Sequence, residues 1–307
     1  MQFKQPERIV GLLLCVFVLA GCGKSADQDA VEAIQTAPTA DMQGQIVFAA
    51  KASEDEDYEL FLFDIQNSNL QQLTDNEFED ISPDFSADGS AIAYSANPNG
   101  VYDLFLLDLD TLEVKTLYTD GADKTEPVWS ADDQFIAFQS NGYGDNDIYI
   151  LDRAENKISR VTEEDSQDTQ ANWLIGDEKI IFVSNRDGDF DLYTLTLADG
   201  VITQLINNDD YDASPVCSPD GGKIAFLSKR NGSFNVYMVD VSGANETVLV
   251  ENAATNHSPE WSPDGSELAF ITDSDTLSGI YLVKIEDHEV YKLLDGYFHY
   301  AGLTWKE

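Results

Sequence analysis

Four hydrophobic series recur along this chain at one fixed spacing, and that spacing constrains the fold more than any other feature. The first runs Phe85, Trp129, Trp173, Cys217, Trp261 and Trp305, in equal steps of 44 residues. A second runs Tyr94, Phe138, Phe182, Phe226 and Phe270, with Phe48 ahead of it. A third runs Phe61, Phe105, Tyr149, Tyr193, Tyr237 and Tyr281, and a fourth Leu73, Leu117, Val161, Leu205, Leu249 and Leu293. Several anchors sharing one period mark a repeat array, and a period of this length matches the four short strands of a β-propeller blade.

Each unit reads as four strands, a to d from the axis outwards. Strand a carries the Trp position, and Pro83, Pro127, Pro215 and Pro259 read as its first residue, where a missing N–H is tolerated. The turn that follows is Ser-Pro-Asp-Gly at 218–221 and 262–265 and Ser-Ala-Asp-Gly at 86–89. In it Pro presets φ, Asp bonds to its own backbone and Gly takes the left-handed position. Strands b (223–228) and c (147–152) are apolar on consecutive residues, as expected where both faces of a sheet are covered. Strand d carries Lys115, Arg160, Glu246 and Lys292, charges that suit an outer edge.

The first anchor lies on a b-strand (Phe48) and the last on an a-strand (Trp305). The C-terminal strand must therefore complete the blade begun by residues 45–67. The expected architecture is all-β: a six-bladed propeller over residues 45–307, four antiparallel strands per blade, closed one-plus-three and monomeric.

The chain has 17 Lys and Arg against 57 Asp and Glu, a net charge of −40. Nucleic-acid phosphates would be repelled. Such charge steers basic partners or cations, although a solvated acidic surface suited to a saline habitat explains it more plainly.

The string Pro-Glu-Trp-Ser-Pro-Asp-Gly (259–265), the Ile-Ala-Phe of strand b (224–226) and Asn-Arg-Asp-Gly-Asp-Phe-Asp-Leu-Tyr (185–193) resemble the WD-type repeat of the TolB family. The resemblance covers residues 45–307. It implies a non-catalytic propeller that binds an envelope protein, as that family's propeller binds a peptidoglycan-associated lipoprotein. Similar repeats form the gating propellers of prolyl-oligopeptidase-type enzymes. They also occur in oligogalacturonate lyases, which use metal-binding histidines.

Residues 1–22 read as a targeting segment: Lys4 and Arg8, an apolar run over 9–20, then Leu19-Ala20-Gly21-Cys22. That ending resembles the lipobox of bacterial lipoproteins. It implies cleavage before Cys22, diacylglycerol on its thiol and a periplasm-facing protein in the cell envelope. Gly23 in place of Asp favours the outer membrane. Residues 23–44 are small and polar and read as a flexible tether reaching about 25 Å.

Five residues before each Trp position stand Asp80, Lys124, Asp168, Asp212, Asn256 and Tyr300. Because strand a lines the channel, this set is expected to ring one mouth, on the face that carries the d–a and b–c loops. The b–c loops add Asp55, Asp57, Asp145, Asp147, Asp187, Asp189 and Asp191. An acidic rim suits a basic peptide or Ca²⁺, although Asp at these places also serves the repeat's turns and no EF-hand loop is present. No other cofactor is expected.

His257 and His299 fall in successive d–a loops and are expected as neighbours at that mouth, whereas His288 lies at the opposite end. They are the candidates for a metal-dependent site in the alternative reading, a glycan-binding or lyase-like propeller. No short metal-ligand spacing supports the pair. No Gly-x-Ser-x-Gly elbow, His-Glu-x-x-His motif or phosphate loop appears, and the expectation is a binding module without catalysis.

Overall fold

The computed structural model describes residues 35–36, 42–163, 165–252, 254–274 and 278–307. The targeting segment, Cys22 and most of the tether lie outside the described residues. Every regular element described is a β-strand. A short strand β1 (Gln35–Thr36) precedes β2 (Gln45–Lys51), β3 (Glu59–Asp64) and β4 (Asn69–Gln72). Blade two holds β5 (Asp80–Phe85), β6 (Ala91–Ala96), β7 (Asp103–Asp108) and β8 (Val114–Tyr118). Blade three holds β9 (Lys124–Trp129), β10 (Phe135–Ser140), β11 (Asp147–Asp152) and β12 (Lys157–Arg160). Blade four holds β13 (Asp168–Trp173), β14 (Lys179–Ser184), β15 (Asp191–Thr196) and β16 (Val201–Gln204). Blade five holds β17 (Asp212–Cys217), β18 (Lys223–Arg230), β19 (Ser233–Asp240) and β20 (Thr247–Val250). Blade six holds β21 (Thr255–Trp261), β22 (Glu267–Asp273), β23 (Gly279–Lys284) and β24 (Val290–Leu294), and β25 (His299–Lys306) ends the chain.

Blade one is the sheet β25-β2-β3-β4, so the one-plus-three clasp is present. Its register pairs Gln45 with Lys306 and Ile46 with Trp305. The a-strands touch in a closed circle, β25 to β5, β9, β13, β17, β21 and back to β25. This is a six-bladed propeller with no open a-strand.

The aromatic series pair across strands b and c. Phe138 faces Tyr149, Phe182 faces Tyr193 and Phe270 faces Tyr281, with ring centroids 5.5, 6.0 and 5.9 Å apart. Phe48 and Phe61 do the same in blade one at 5.6 Å. These rings fill the space between blades: Phe226 packs with Ile181 and Val183 of the preceding blade, and Phe182 with Ala137 and Ile148. The six cores are thus seams shared by neighbours, and truncating one such Phe to Ala costs about 3–5 kcal/mol.

The prolines sit elsewhere than expected. Strand a begins three residues before Pro83, Pro127 and Pro215 and four before Pro259, and each proline follows a left-handed residue: Ser82 (φ 51°), Glu126 (55°), Ser214 (47°) and Ser258 (49°). Gln170 (53°) and Gly302 (78°) occupy the same place in the other two blades. Each a-strand slips register there, for example between Ile81 and Asp84, so every blade carries a bulge at its innermost strand. A bulge leaves a residue outside the ladder, which is where a proline without an N–H fits.

The propeller also recruits residues read as tether. Gln35–Thr36 pair in parallel with Tyr291 and Lys292 of β24, and Met42 joins the core between blades six and one. Gly44 (φ 106°) lets the chain turn into β2. A Cβ there would meet the Lys306 carbonyl oxygen, so only glycine fits.

Candidate functional site

The six residues expected to ring the mouth share one structural position, the start of strand a, but it is not on the surface. Asp80, Lys124, Asp168, Asp212 and Asn256 are 0% exposed and Tyr300 is 2% exposed. Each lies under the d–a/b–c face, in a seam, near the first position of strand c in the preceding blade. Lys124 meets Asp103 at 3.4 Å, donates to the Ala122 carbonyl at 2.6 Å and pairs with Asp120. Asp168 accepts Ser184 Oγ at 2.5 Å and Arg186 at 3.0 Å. Asp212 accepts Asn208 Nδ2 at 2.8 Å, and burial pushes its carboxyl up to about 6. Asn256 donates to the Phe234 carbonyl at 2.8 Å and accepts Thr272 Oγ1 at 2.8 Å. Tyr300 packs against Phe48 with the rings tilted at 44°, and burial raises its hydroxyl. The set fastens blades together beneath the rim instead of forming it. Polar side chains that look free in a loop are consumed here by buried hydrogen bonds.

Of the loop acids, Asp55, Asp145 and Asp187 are exposed, Asp57 and Asp189 half-buried, and Asp147 and Asp191 buried. Asp147 is held by Arg160 at 2.8 Å, and Asp187 accepts the Tyr193 hydroxyl at 2.8 Å.

Above the buried ring lies a collar of aromatic residues. Tyr58, Tyr102, Phe190 and Phe234 each immediately precede strand c or sit at its start, and are half-buried. Tyr211, 39% exposed, contacts Phe190 at 4.7 Å and Phe234 at 5.3 Å between ring centroids. Carboxylates stand among them. Burial first, then Glu79 and Asp273, raises the Tyr58 hydroxyl; burial first, then Glu79 and Asp123, raises that of Tyr102. The Tyr211 hydroxyl feels Glu126, the left-handed residue at the bulge of β9, which burial pushes up to about 7. Two lysines already stack on this collar: Lys51 over Tyr58 at 5.0 Å and Lys229 over Phe234 at 5.7 Å. The chemistry displayed is that of cation recognition by rings backed with carboxylates.

His257 and His299 do meet, through a residue the sequence did not single out. His257 Nε2 lies 3.1 Å and His299 Nδ1 3.5 Å from the same oxygen of Asp273, at the end of β22. His257 Nδ1 is 3.2 Å from Ser258 Oγ, and Ser278 donates to Asp273 at 2.8 Å. Burial alone would raise Asp273; these hydrogen bonds and the two imidazoles hold it below the ordinary carboxylate range. Among the described residues no group of three or more His, Cys, Asp or Glu is arranged to hold a metal ion. His288 lies between β23 and β24, at the other end as expected.

The opposite face, built from a–b turns, holds a cavity of about 340 Å³ on the axis. Asp84, Asn172, Glu260 and Thr304 line it. Burial pushes Asp84 up to about 7, and burial with the Asp84 charge raises Glu260 well above the carboxylate range. Cys217, at a tryptophan position, opens onto this cavity and is only partly buried.

Sequence reasoning missed Asp273 and the collar. The collar had a signal: Tyr58, Tyr102, Phe190 and Phe234 stand on the same 44-residue grid. Asp273 had only an indirect one: it stands where three other blades carry asparagine, at Asn97, Asn141 and Asn185.

The family model described as TolB beta propeller domain matches residues 33–305. Among solved structures, TolB from Acinetobacter baumannii superimposes with a TM-score of 0.77 at 20% identity, covering 85% of this chain and 66% of that one. A putative TolB from Agrobacterium tumefaciens gives 0.69 at 20% identity, covering 83% and 90%. An oligogalacturonate lyase from Vibrio parahaemolyticus gives 0.55 at 15% identity, covering 82% and 73%. No curated protein matches the chain.

Proposed function

This chain belongs to the TolB β-propeller family, and from that premise we propose that it is a non-catalytic envelope lipoprotein whose d–a/b–c face binds a protein partner. The observation that carries the reading is the collar of Tyr58, Tyr102 and Tyr211, set among Glu79, Asp123 and Glu126 around the channel mouth. Aromatic rings supply contact area at low entropic cost, and the carboxylates select a basic partner surface. The buried ring of Asp80, Lys124, Asp168, Asp212, Asn256 and Tyr300 supports that face from below. In this reading Cys22 carries the lipid, and two or more acyl chains hold the propeller at the periplasmic side of the outer membrane.

The test is retention of envelope proteins by the immobilised propeller and by a Tyr58→Ala, Tyr102→Ala, Tyr211→Ala variant. A protein kept by the first and lost from the second supports the reading; equal retention moves the site off this face. Cys22→Ser is expected to release the protein from the membrane fraction.

A second reading, a glycan-binding or lyase-like propeller with a metal-dependent mouth, draws on His257 and His299 converging on Asp273. It requires turnover on a polysaccharide panel with added divalent metal, lost in the His257→Ala, His299→Ala variant.

A further inference from the structure

The seam pairs differ in how they settle their charge. The first residue of strand c, or its equivalent, and the first of the next strand a stand 21 places apart throughout: Glu59 with Asp80, Asp103 with Lys124, Asp147 with Asp168, Asp191 with Asp212, Asn235 with Asn256, and Gly279 with Tyr300. Asp103 and Lys124 form an ion pair. Asp147 and Asp168 are both acids, but Arg160 holds one at 2.8 Å and Arg186 the other at 3.0 Å. Asp191 accepts Gln204 Nε2 at 2.9 Å, and the charge of Arg230 reaches Asp212. Asn235 and Asn256 are neutral and share Asn252, which donates its N–H to the first at 3.0 Å and lies 3.2 Å from the second.

Among the described residues, Glu59 and Asp80 have no such cation. Asn76 bridges them, its N–H to Glu59 Oε1 at 2.7 Å and its Nδ2 to Asp80 Oδ2 at 2.7 Å. Both carboxyls are buried, at 8% and 0% exposure; the single Thr74 hydroxyl reaches both, and among the described residues Asp80 Oδ1 has no hydrogen-bond donor of its own. The charged groups that act on Glu59 are Asp75 and Asp57, and on Asp80 it is Glu59 itself. Tyr94 of β6 faces both, and Lys51 of β2 is engaged over the Tyr58 ring. Two like charges in contact and out of water cannot both persist.

We infer that Glu59 and Asp80 share one proton at neutral pH, making the seam between blades one and two a proton-binding latch beneath the proposed docking face. The shared proton supplies the donor that Asp80 Oδ1 lacks. Burial pushes Glu59 up to about 7 and Asp80, by burial and by Glu59, up to about 8. Both stand above their unfolded values near 4. The latch is therefore fully closed below pH ~4 and is lost as pH rises through about 7 to 8.

Hydrogen exchange on the intact protein tests this. The Asp80 N–H is bonded to the Tyr58 carbonyl, and the Asp168 N–H to that of Asn146 in a seam with cations; both bonds are 2.8 Å. After correction for intrinsic exchange, the opening constant at Asp80 is expected to rise about tenfold or more between pH 6 and pH 9, while that at Asp168 stays level. Asp80→Asn presents a permanent N–H to Glu59 and should abolish the rise. Glu59→Gln does the same from the other side and serves if the first variant folds poorly. A level wild-type profile at Asp80, or the same rise in both variants, overturns the inference.

Discussion

Asp84 in blade two accepts the backbone N–H of Trp129 in blade three at 2.7 Å. Its other oxygen accepts the Thr304 hydroxyl of blade one at 3.1 Å, so one carboxyl joins three blades near the axis. Asp84→Ala strands the Trp129 N–H and is expected to lower stability by about 1–3 kcal/mol in urea unfolding. Because burial raises Asp84 to about 7, its contribution falls as pH climbs from ~4 through 7. Asp84→Asn, which keeps an acceptor for the N–H, should flatten that part of the profile. A loss under about 0.5 kcal/mol in the alanine variant would remove this bond from the account.

Ring closure depends on β25. Trp305 is 7% exposed and donates Nε1 to the Gln43 carbonyl at 3.3 Å. Trp305→Ala is expected to cost about 3–5 kcal/mol. Removing residues 299–307 exposes the whole edge of β2, and an unpaired edge of Ile46, Val47 and Phe48 should drive association visible by size-exclusion chromatography. A monomeric, cooperatively melting truncation would show that the clasp is dispensable.

The seam between blades six and one responds to acid. Asp273 is held below its ordinary range, so its support is present above pH ~4 and fades as pH falls through its lowered value. All three groups are partly exposed, and the term is expected to stay under about 1 kcal/mol. Asp273→Asn should remove this acid-side component of the melting curve and leave the alkaline side unchanged. An unaltered acid limb would contradict it.

Cys217 is a free thiol, and burial pushes it up. A thiol-specific reagent should therefore react with it at least about tenfold more slowly at pH 8 than with an unfolded control, because only the thiolate attacks. Equal rates would mean that the axial cavity admits solvent freely.

The fold was legible because a propeller writes itself in the chain once per blade. Phe138 and Tyr149 are eleven places apart in sequence and face each other in the sheet, and the same offset recurs through Phe270 and Tyr281. The clasp was legible from the phase of Phe48 and Trp305. The site was less so. Asp80 and Tyr58 belong to the same repeat grid, and the Asp80 N–H bonds to the Tyr58 carbonyl, yet one side chain is buried and the other reaches the mouth. Which way a side chain turns at the end of a strand depends on the neighbouring blade, and periodicity along one chain does not carry that. The prolines were placed at the strand start, three or four residues too early in the ladder, for a related reason: a bulge satisfies the same sequence rule as a strand start.

The way the chain enters the ring has a mechanical consequence. β2 lies between β3 and β25, and hydrogen bonds of an antiparallel pair run across the strands. A pull on the residues before Gln45 acts along β2, so it shears both ladders together instead of peeling them bond by bond. If the propeller is moored by its N-terminus and gripped at its far face, the load passes into the two strands that close the circle, and many bonds must yield at once.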